Sequence, residues 1–105
     1  MRTEGELVKA CLLYLKAKGI VAWRHNAGGI NVGKYFVRLG VIGASDIMGL
    51  LPGGRFLGVE AKIGKNKPTP DQTEWQRRIN EQGGLAFTIW SVDALELHLR
   101  NAGVK

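Results

Sequence analysis

Three side chains in the middle of the chain have the types and spacing of a phosphate-ester hydrolysis site. Asp46 follows Gly43-Ala44-Ser45 and opens an apolar stretch that runs to Leu51. Thirteen residues separate it from Glu60-Ala61-Lys62, which closes a second stretch beginning at Arg55. Pro52-Gly53-Gly54 lies between them as a turn, so the two stretches read as a hairpin. Side chains alternate along a strand, which puts Glu60 and Lys62 on one face, with Cα atoms about 6.6 Å apart. Leu57, Val59 and Ala61 take the other, apolar face. Hairpin pairing can then bring Asp46 beside Glu60. Two carboxylates suit a hard divalent cation, Mg²⁺ or Mn²⁺, which polarises a phosphate and acidifies a bound water. An ammonium beside them can orient that water or offset charge building on the phosphoryl oxygens. Taken alone, Glu-x-Lys is an ordinary solvated pair on a strand face; the upstream aspartate and the intervening turn make it a candidate site.

Positioning these groups requires a scaffold, and its elements are legible. Thr3 caps a helix running to about residue 18, with Glu6 as capping-box partner and Leu7, Cys11, Tyr14 and Leu15 at helical spacing. Residues 20–24 read as a short strand and 25–34 as a Gly/Asn-rich loop. Residues 35–39 read as either a second strand or more loop. After the hairpin comes a basic loop over 64–68. Thr69 then caps a helix with Pro70 at its first position, ending near Gln82. Leu85 to Trp90 is an apolar strand expected at the centre of the sheet, and Ser91 caps a last helix to about Asn101. The order αβββαβα predicts an α/β fold: a mixed sheet flanked by helices.

Composition narrows the chemistry. With 105 residues, 45% of them hydrophobic, the chain is expected to form one domain with one core. Fifteen Lys and Arg against nine Asp and Glu leave a net charge of +6, which favours a polyanionic partner, nucleic acid above all. One cysteine and two histidines exclude an internal disulfide, a Cys-rich zinc site and a His-rich metal site. No apolar run approaches a membrane span, and the charged residues among the first fifteen are not those of a signal peptide. A cytoplasmic location is expected. Gly28 to Lys34 satisfies G-x-x-x-x-G-K, but Tyr35 stands where a phosphate loop needs Ser or Thr, so ATP binding is not expected.

Asp46…Glu60-Ala61-Lys62 resembles the PD-(D/E)xK nuclease signature. Nearly the whole chain resembles the VRR-NUC family, the virus-type replication-repair nucleases. The likeness is carried by Thr3-Glu4-Gly5-Glu6-Leu7, Trp23-Arg24-His25-Asn26, Gly43-Ala44-Ser45-Asp46, Gly58-Val59-Glu60-Ala61-Lys62, Pro70-Asp71-Gln72 and Gly83-Gly84-Leu85-Ala86. Ser45 departs from the superfamily's proline. The resemblance implies a restriction-endonuclease-like core and a metal held by Asp46 and Glu60. It also implies a supporting glutamate on the first helix. Glu4 fits the family's spacing better than Glu6, which the capping box already explains. Gln72 matches a family glutamine near the catalytic lysine, Lys62; it is also the capping-box partner of Thr69. Stand-alone members resemble archaeal-type Holliday-junction resolvases, so the resemblance implies a homodimer acting on branched or four-way-junction DNA. It also implies a phage or prophage origin and a bacterial host cell.

Lys65, Lys67, Arg24, His25, Lys34 and Arg38 are the candidate DNA contacts around this site. Lys65 and Lys67 lie in what reads as a flexible loop, and Arg77 and Arg78 add charge on the second helix. His25 has no second His or Cys nearby and reads as a phosphate or structural contact. Trp23, Trp75 and Trp90 read as core or interface rather than as base-stacking platforms. Two rival readings stand beside the junction nuclease. One is a non-catalytic DNA-binding module of the same fold. The other is a nuclease cutting flaps or duplex, including a sequence-specific restriction type.

Overall fold

The strongest local signals in the chain are its helix caps, and each of them forms. The computed structural model describes residues 3–25, 29–38 and 40–104. Thr3 Oγ1 accepts the Glu6 N–H at 3.0 Å and opens α1 (Glu4–Ala17). Ser91 does the same for Ala94 at the start of α3 (Val92–Asn101). Thr69 and Gln72 form a reciprocal capping box at α2 (Pro70–Glu81). Such caps satisfy amides that the first turn leaves unpaired.

Between α1 and α2 lie β1 (Val21–Arg24), β2 (Gly29–Val32), β3 (Tyr35–Arg38), β4 (Ile47–Leu51) and β5 (Arg55–Ala61); β6 (Leu85–Ile89) follows α2. Four strands form one sheet in the order β1-β4-β5-β6. β4 runs antiparallel to both of its neighbours, β1 and β5, and β6 joins β5 in parallel after the α2 crossover. The core order is thus αβββαβα, an α/β fold with a mixed sheet and helices on both faces, as expected. Two features differ from expectation. β6 is an edge strand of this sheet rather than a central one; its apolar run is buried because helices cover both of its faces. Residues 29–32, expected as loop, pair with 35–38 in a separate two-stranded sheet inserted between β1 and β4. Leu39, the expected end of that strand, lies outside the described residues.

One face of the main sheet carries the hydrophobic core. Leu7, Val8, Cys11 and Leu15 of α1 meet Ile47, Leu57, Val59, Ala61 and Ile89 of the sheet and Leu95 and Leu99 of α3. Each large aliphatic side chain contributes about 1.5–3 kcal/mol by leaving water. On the other face α2 buries no residue fully. It is held instead by polar tethers: Gln72 to Glu60, Trp75 to Ser45, Gln76 to Thr88, and Asn80 to both backbone groups of Ala86. The sheet face under α2 is therefore where polar chemistry is assembled. No helix among the described residues is long and apolar enough to cross a membrane.

Candidate active site

The β4–β5 register pairs Ile47 with Val59 and Met48 with Gly58, so Asp46 falls opposite Glu60 on the α2 face. The last regular pair is Ile47–Val59, and the Asp46 side chain takes over where the ladder ends: its Oδ2 accepts the Ala61 N–H at 3.0 Å. The aspartate is thereby tied to the backbone between Glu60 and Lys62. Lys62 extends the β5–β6 ladder by one bond, donating its N–H to Ile89 O at 3.0 Å.

Glu60 is almost fully buried, at 2% exposure. Its Oε1 accepts from Gln72 Nε2 at 3.1 Å and lies 3.9 Å from Lys62 Nζ. Burial pushes its carboxyl from the usual 4.5 up to about 8. The Asp46 carboxylate adds to this as hydrogen-bond partner and as like charge; the Lys62 ammonium opposes it; and Glu4 adds a further negative charge. Gln72 serves two roles at once. Its Oε1 accepts the Thr69 N–H at 2.8 Å while its Nε2 holds Glu60, so the capping box fixes which end of the amide faces the carboxylate.

Glu4, at the start of α1, accepts a hydrogen bond from Asn66 Nδ2 at 3.1 Å. Trp90 Nε1 donates to the Asn66 carbonyl at 2.9 Å, and Asn66 N–H closes a turn on Ile63 O. The loop carrying Lys65 and Lys67 is therefore less free than its composition suggests. Asn66 anchors it at three points, so its two exposed lysines are held beside the site.

The remaining candidates divide. His25 donates its N–H to Asp46 O at 2.7 Å, which places it opposite Asp46 on the carboxylate face; its Nε2 is buried without a hydrogen-bond partner. Arg24 pairs with Ile47 and so belongs to the opposite face. Lys34 sits at the tip of the β2–β3 hairpin with its ammonium 5.5 Å from the Tyr35 ring centre. The side chain of Arg38, like all of Asn26, lies outside the described residues. Arg77 is not a free cation: Glu74 and Glu81 both pair with it. Trp23 and Trp90 are exposed rather than core, and only Trp75 packs inward, edge-on to Phe56. Where a phosphate loop would need a helix after Lys34, the chain forms β3, which removes the G-x-x-x-x-G-K reading.

Sequence reasoning notes Ser45 only as a departure from the superfamily's proline, reads Trp75 as core or interface, and gives Asn66 no role. The spacing of Gln72 and Trp75, three residues apart on one helix face, is the available signal. A groove of about 690 Å³ lined by Val41, Ile42, Trp75 and Ile79 runs along α2 but includes none of the three central side chains. The carboxylates lie instead where the β4–β5 ladder ends.

No protein-family model and no curated protein matches the chain. A solved structure described as a VRR_NUC domain does: it is 22% identical, covers 92% of this chain and 94% of its own length, and superposes with a TM-score of 0.65. Helix order, mixed sheet and crossover together establish that this chain has the fold of a VRR_NUC domain.

Proposed function

We propose that this protein is a metal-dependent DNA endonuclease that hydrolyses phosphodiester bonds, selective for branched DNA such as four-way junctions. One observation carries the reading: the buried Glu60 carboxyl faces Asp46, with Lys62 and Gln72 converging on it. A solvated Glu-Lys pair would have none of that burial or company.

Among the described residues no three His, Cys, Asp or Glu side chains are gathered as a ready-made metal cage. The donor set nonetheless fits a divalent cation. Two carboxylates face each other with one ammonium beside them, and burial first, then the neighbouring Asp46, drives Glu60 to hold a proton. Asp46 and Glu60 would hold Mg²⁺ or Mn²⁺, with Glu4, bonded by Asn66, in support. Carboxylates plus retained waters are the usual surroundings of these ions. When bound, the ion supplies Lewis-acid polarisation and an acidified water.

The chain's own groups do the rest. Lys62 places positive charge where negative charge builds on the phosphoryl oxygens. Gln72 orients Glu60, and the Ala61 N–H orients Asp46. Lys65 and Lys67, braced by Asn66, grip neighbouring phosphates. Water adds to phosphorus, the bond to the 3′ oxygen breaks, and that oxygen leaves with a proton. A homodimer belongs to the same proposal, because resolving a junction takes two symmetric cuts. It is supported by the β2–β3 hairpin, whose paired residues Ile30, Val37, Val32 and Tyr35 form one exposed apolar face. The test is incubation with labelled four-way junction, flap and linear duplex of matching sequence, in Mg²⁺ and in Mn²⁺. Paired metal-dependent nicks in the junction support the proposal. Binding without cutting supports a non-catalytic module, and preferential cutting of flap or duplex overturns the branched-DNA assignment.

A further inference from the structure

Helix α2 bonds one carboxylate and the residue that precedes the other. Gln72 bonds Glu60. One turn later Trp75 donates its Nε1–H to Ser45 Oγ at 2.9 Å, and Ser45, 0% exposed, immediately precedes Asp46. A Cβ placed on Gly58 would come within 2.7 Å of that hydroxyl oxygen. Ser45 therefore sits directly over β5, two residues before Glu60. The indole is braced by Phe56, with ring centres 6.4 Å apart and planes at 75°. The turn before Ser45 is just as tight: at Gly43, with φ +78°, a Cβ would lie 2.4 Å from the Asp71 carbonyl oxygen. The approach to Asp46 is thus wedged between β5 and α2, and Ser45–Trp75 is its one side-chain hydrogen bond to the helix among those described. The bond is partly shielded from water, so losing one partner leaves the other poorly satisfied. Serine can make this bond; proline, the signature residue at this position, cannot.

We propose that the Ser45–Trp75 hydrogen bond is a positioning clamp that sets the Asp46 carboxylate against Glu60, making Ser45 and Trp75 positioning residues for divalent-cation binding. The proposal rests on the nuclease reading above, and its test separates the two. Mn²⁺ alone is titrated into the full chain and its affinity read by calorimetry, with thermal melts in chelator run alongside. Trp75→Phe keeps the ring against Phe56 and removes the donor; Ser45→Ala removes the acceptor. Asn80→Ala serves as comparison, because it severs two bonds of the same helix to Ala86 away from the carboxylates.

The expected result is a ~10–100-fold weaker Mn²⁺ affinity in Trp75→Phe and in Ser45→Ala, the range for groups that orient metal ligands. The double variant should be no weaker than the worse single one, since both remove one interaction. Asn80→Ala should lower the melting temperature and leave Mn²⁺ affinity as in the unaltered chain. Unchanged affinity in both site variants, or an equal loss in Asn80→Ala, overturns the clamp. Should Trp75→Phe fail to fold, Ser45→Ala, the smaller change, decides alone. An unaltered chain that binds no Mn²⁺ overturns the nuclease reading itself, and the clamp with it.

Discussion

Replacing Glu60 by glutamine should stabilise the metal-free protein while destroying its proposed activity. The Glu60 carboxyl titrates near 4.5 when unfolded and at about 8 when folded without metal. Between those values the folded state holds a proton that the unfolded state has released. Stability therefore falls as pH rises through this window, is complete below 4.5, and is lowest above 8. At about 1.36 kcal/mol per pH unit the window spans at most about 5 kcal/mol; side-chain relaxation and water entry reduce this to an expected loss of about 2–4 kcal/mol. For a chain of this size that is roughly 10–25 °C in melting temperature. The substituted side chain carries no charge at any pH, and its amide oxygen can still accept from Gln72. The assay is a series of urea and thermal melts in chelator from pH 5 to 8.5. The unaltered chain should lose stability with rising pH much more steeply than Glu60→Gln, with the two curves meeting near pH 5. His98, which burial pulls below its ordinary value, loses stability in the opposite direction as pH falls, and it is common to both proteins. Adding Mn²⁺ at pH 8 should raise the melting temperature of the unaltered chain and leave Glu60→Gln nearly unmoved. Parallel pH curves would refute the reasoning, because the carboxyl would then not be confined against Asp46.

Other consequences are as concrete. Gly58→Ala drives a methyl into the Ser45 hydroxyl and should cost about 1–3 kcal/mol in a denaturant melt. Thr69→Ala removes the hydroxyl that accepts the Gln72 backbone N–H and should cost about 1 kcal/mol in a denaturant melt, while the residue 69 N–H still holds the Gln72 side chain toward Glu60. Removing Lys65 and Lys67 together should weaken DNA binding for every sequence alike and reduce the slope of log affinity against log salt by about 2. Arg77→Ala, which breaks only solvent-exposed pairs with Glu74 and Glu81, should leave that slope unchanged.

How much of this is legible in sequence follows the range of the interactions involved. The three helix caps are local patterns of three or four residues, and all of them form where the sequence puts them. The 46–62 hairpin announces itself through its turn and alternation, and its register puts Asp46 opposite Glu60 as expected. Half of the double role of Gln72 is legible: the capping box is a local pattern, whereas the resemblance puts Gln72 near Lys62 and its amide bonds Glu60 instead. The β2 strand escapes a reading of the sequence because Gly29-Ile30-Asn31-Val32 has the glycine and asparagine of a loop, and only pairing with Tyr35–Arg38 makes it a strand. β6 is expected at the centre because its apolar run looks like that of a strand flanked on both sides. Its burial comes from α2 and α3, which composition does not reveal. Ser45–Trp75 and Glu4–Asn66 join residues 30 and 62 positions apart. No spacing rule spans such separations, although both bonds lie next to the carboxylates in the fold.

The most direct measurement of the proposed site is a single-turnover cleavage assay on labelled four-way-junction DNA in Mg²⁺, comparing the unaltered chain with Lys62→Ala. In the proposal Lys62 supplies charge to the reacting phosphate, and its side chain does not hold the fold: its ammonium lies 3.9 Å from Glu60 and the core lies on the opposite face. Cleavage by the unaltered chain, reduced at least ~100-fold in Lys62→Ala with DNA binding retained, is the expected result. Equal cleavage by both proteins, or none by either in Mg²⁺ or Mn²⁺, would contradict a hydrolytic site at Asp46, Glu60 and Lys62.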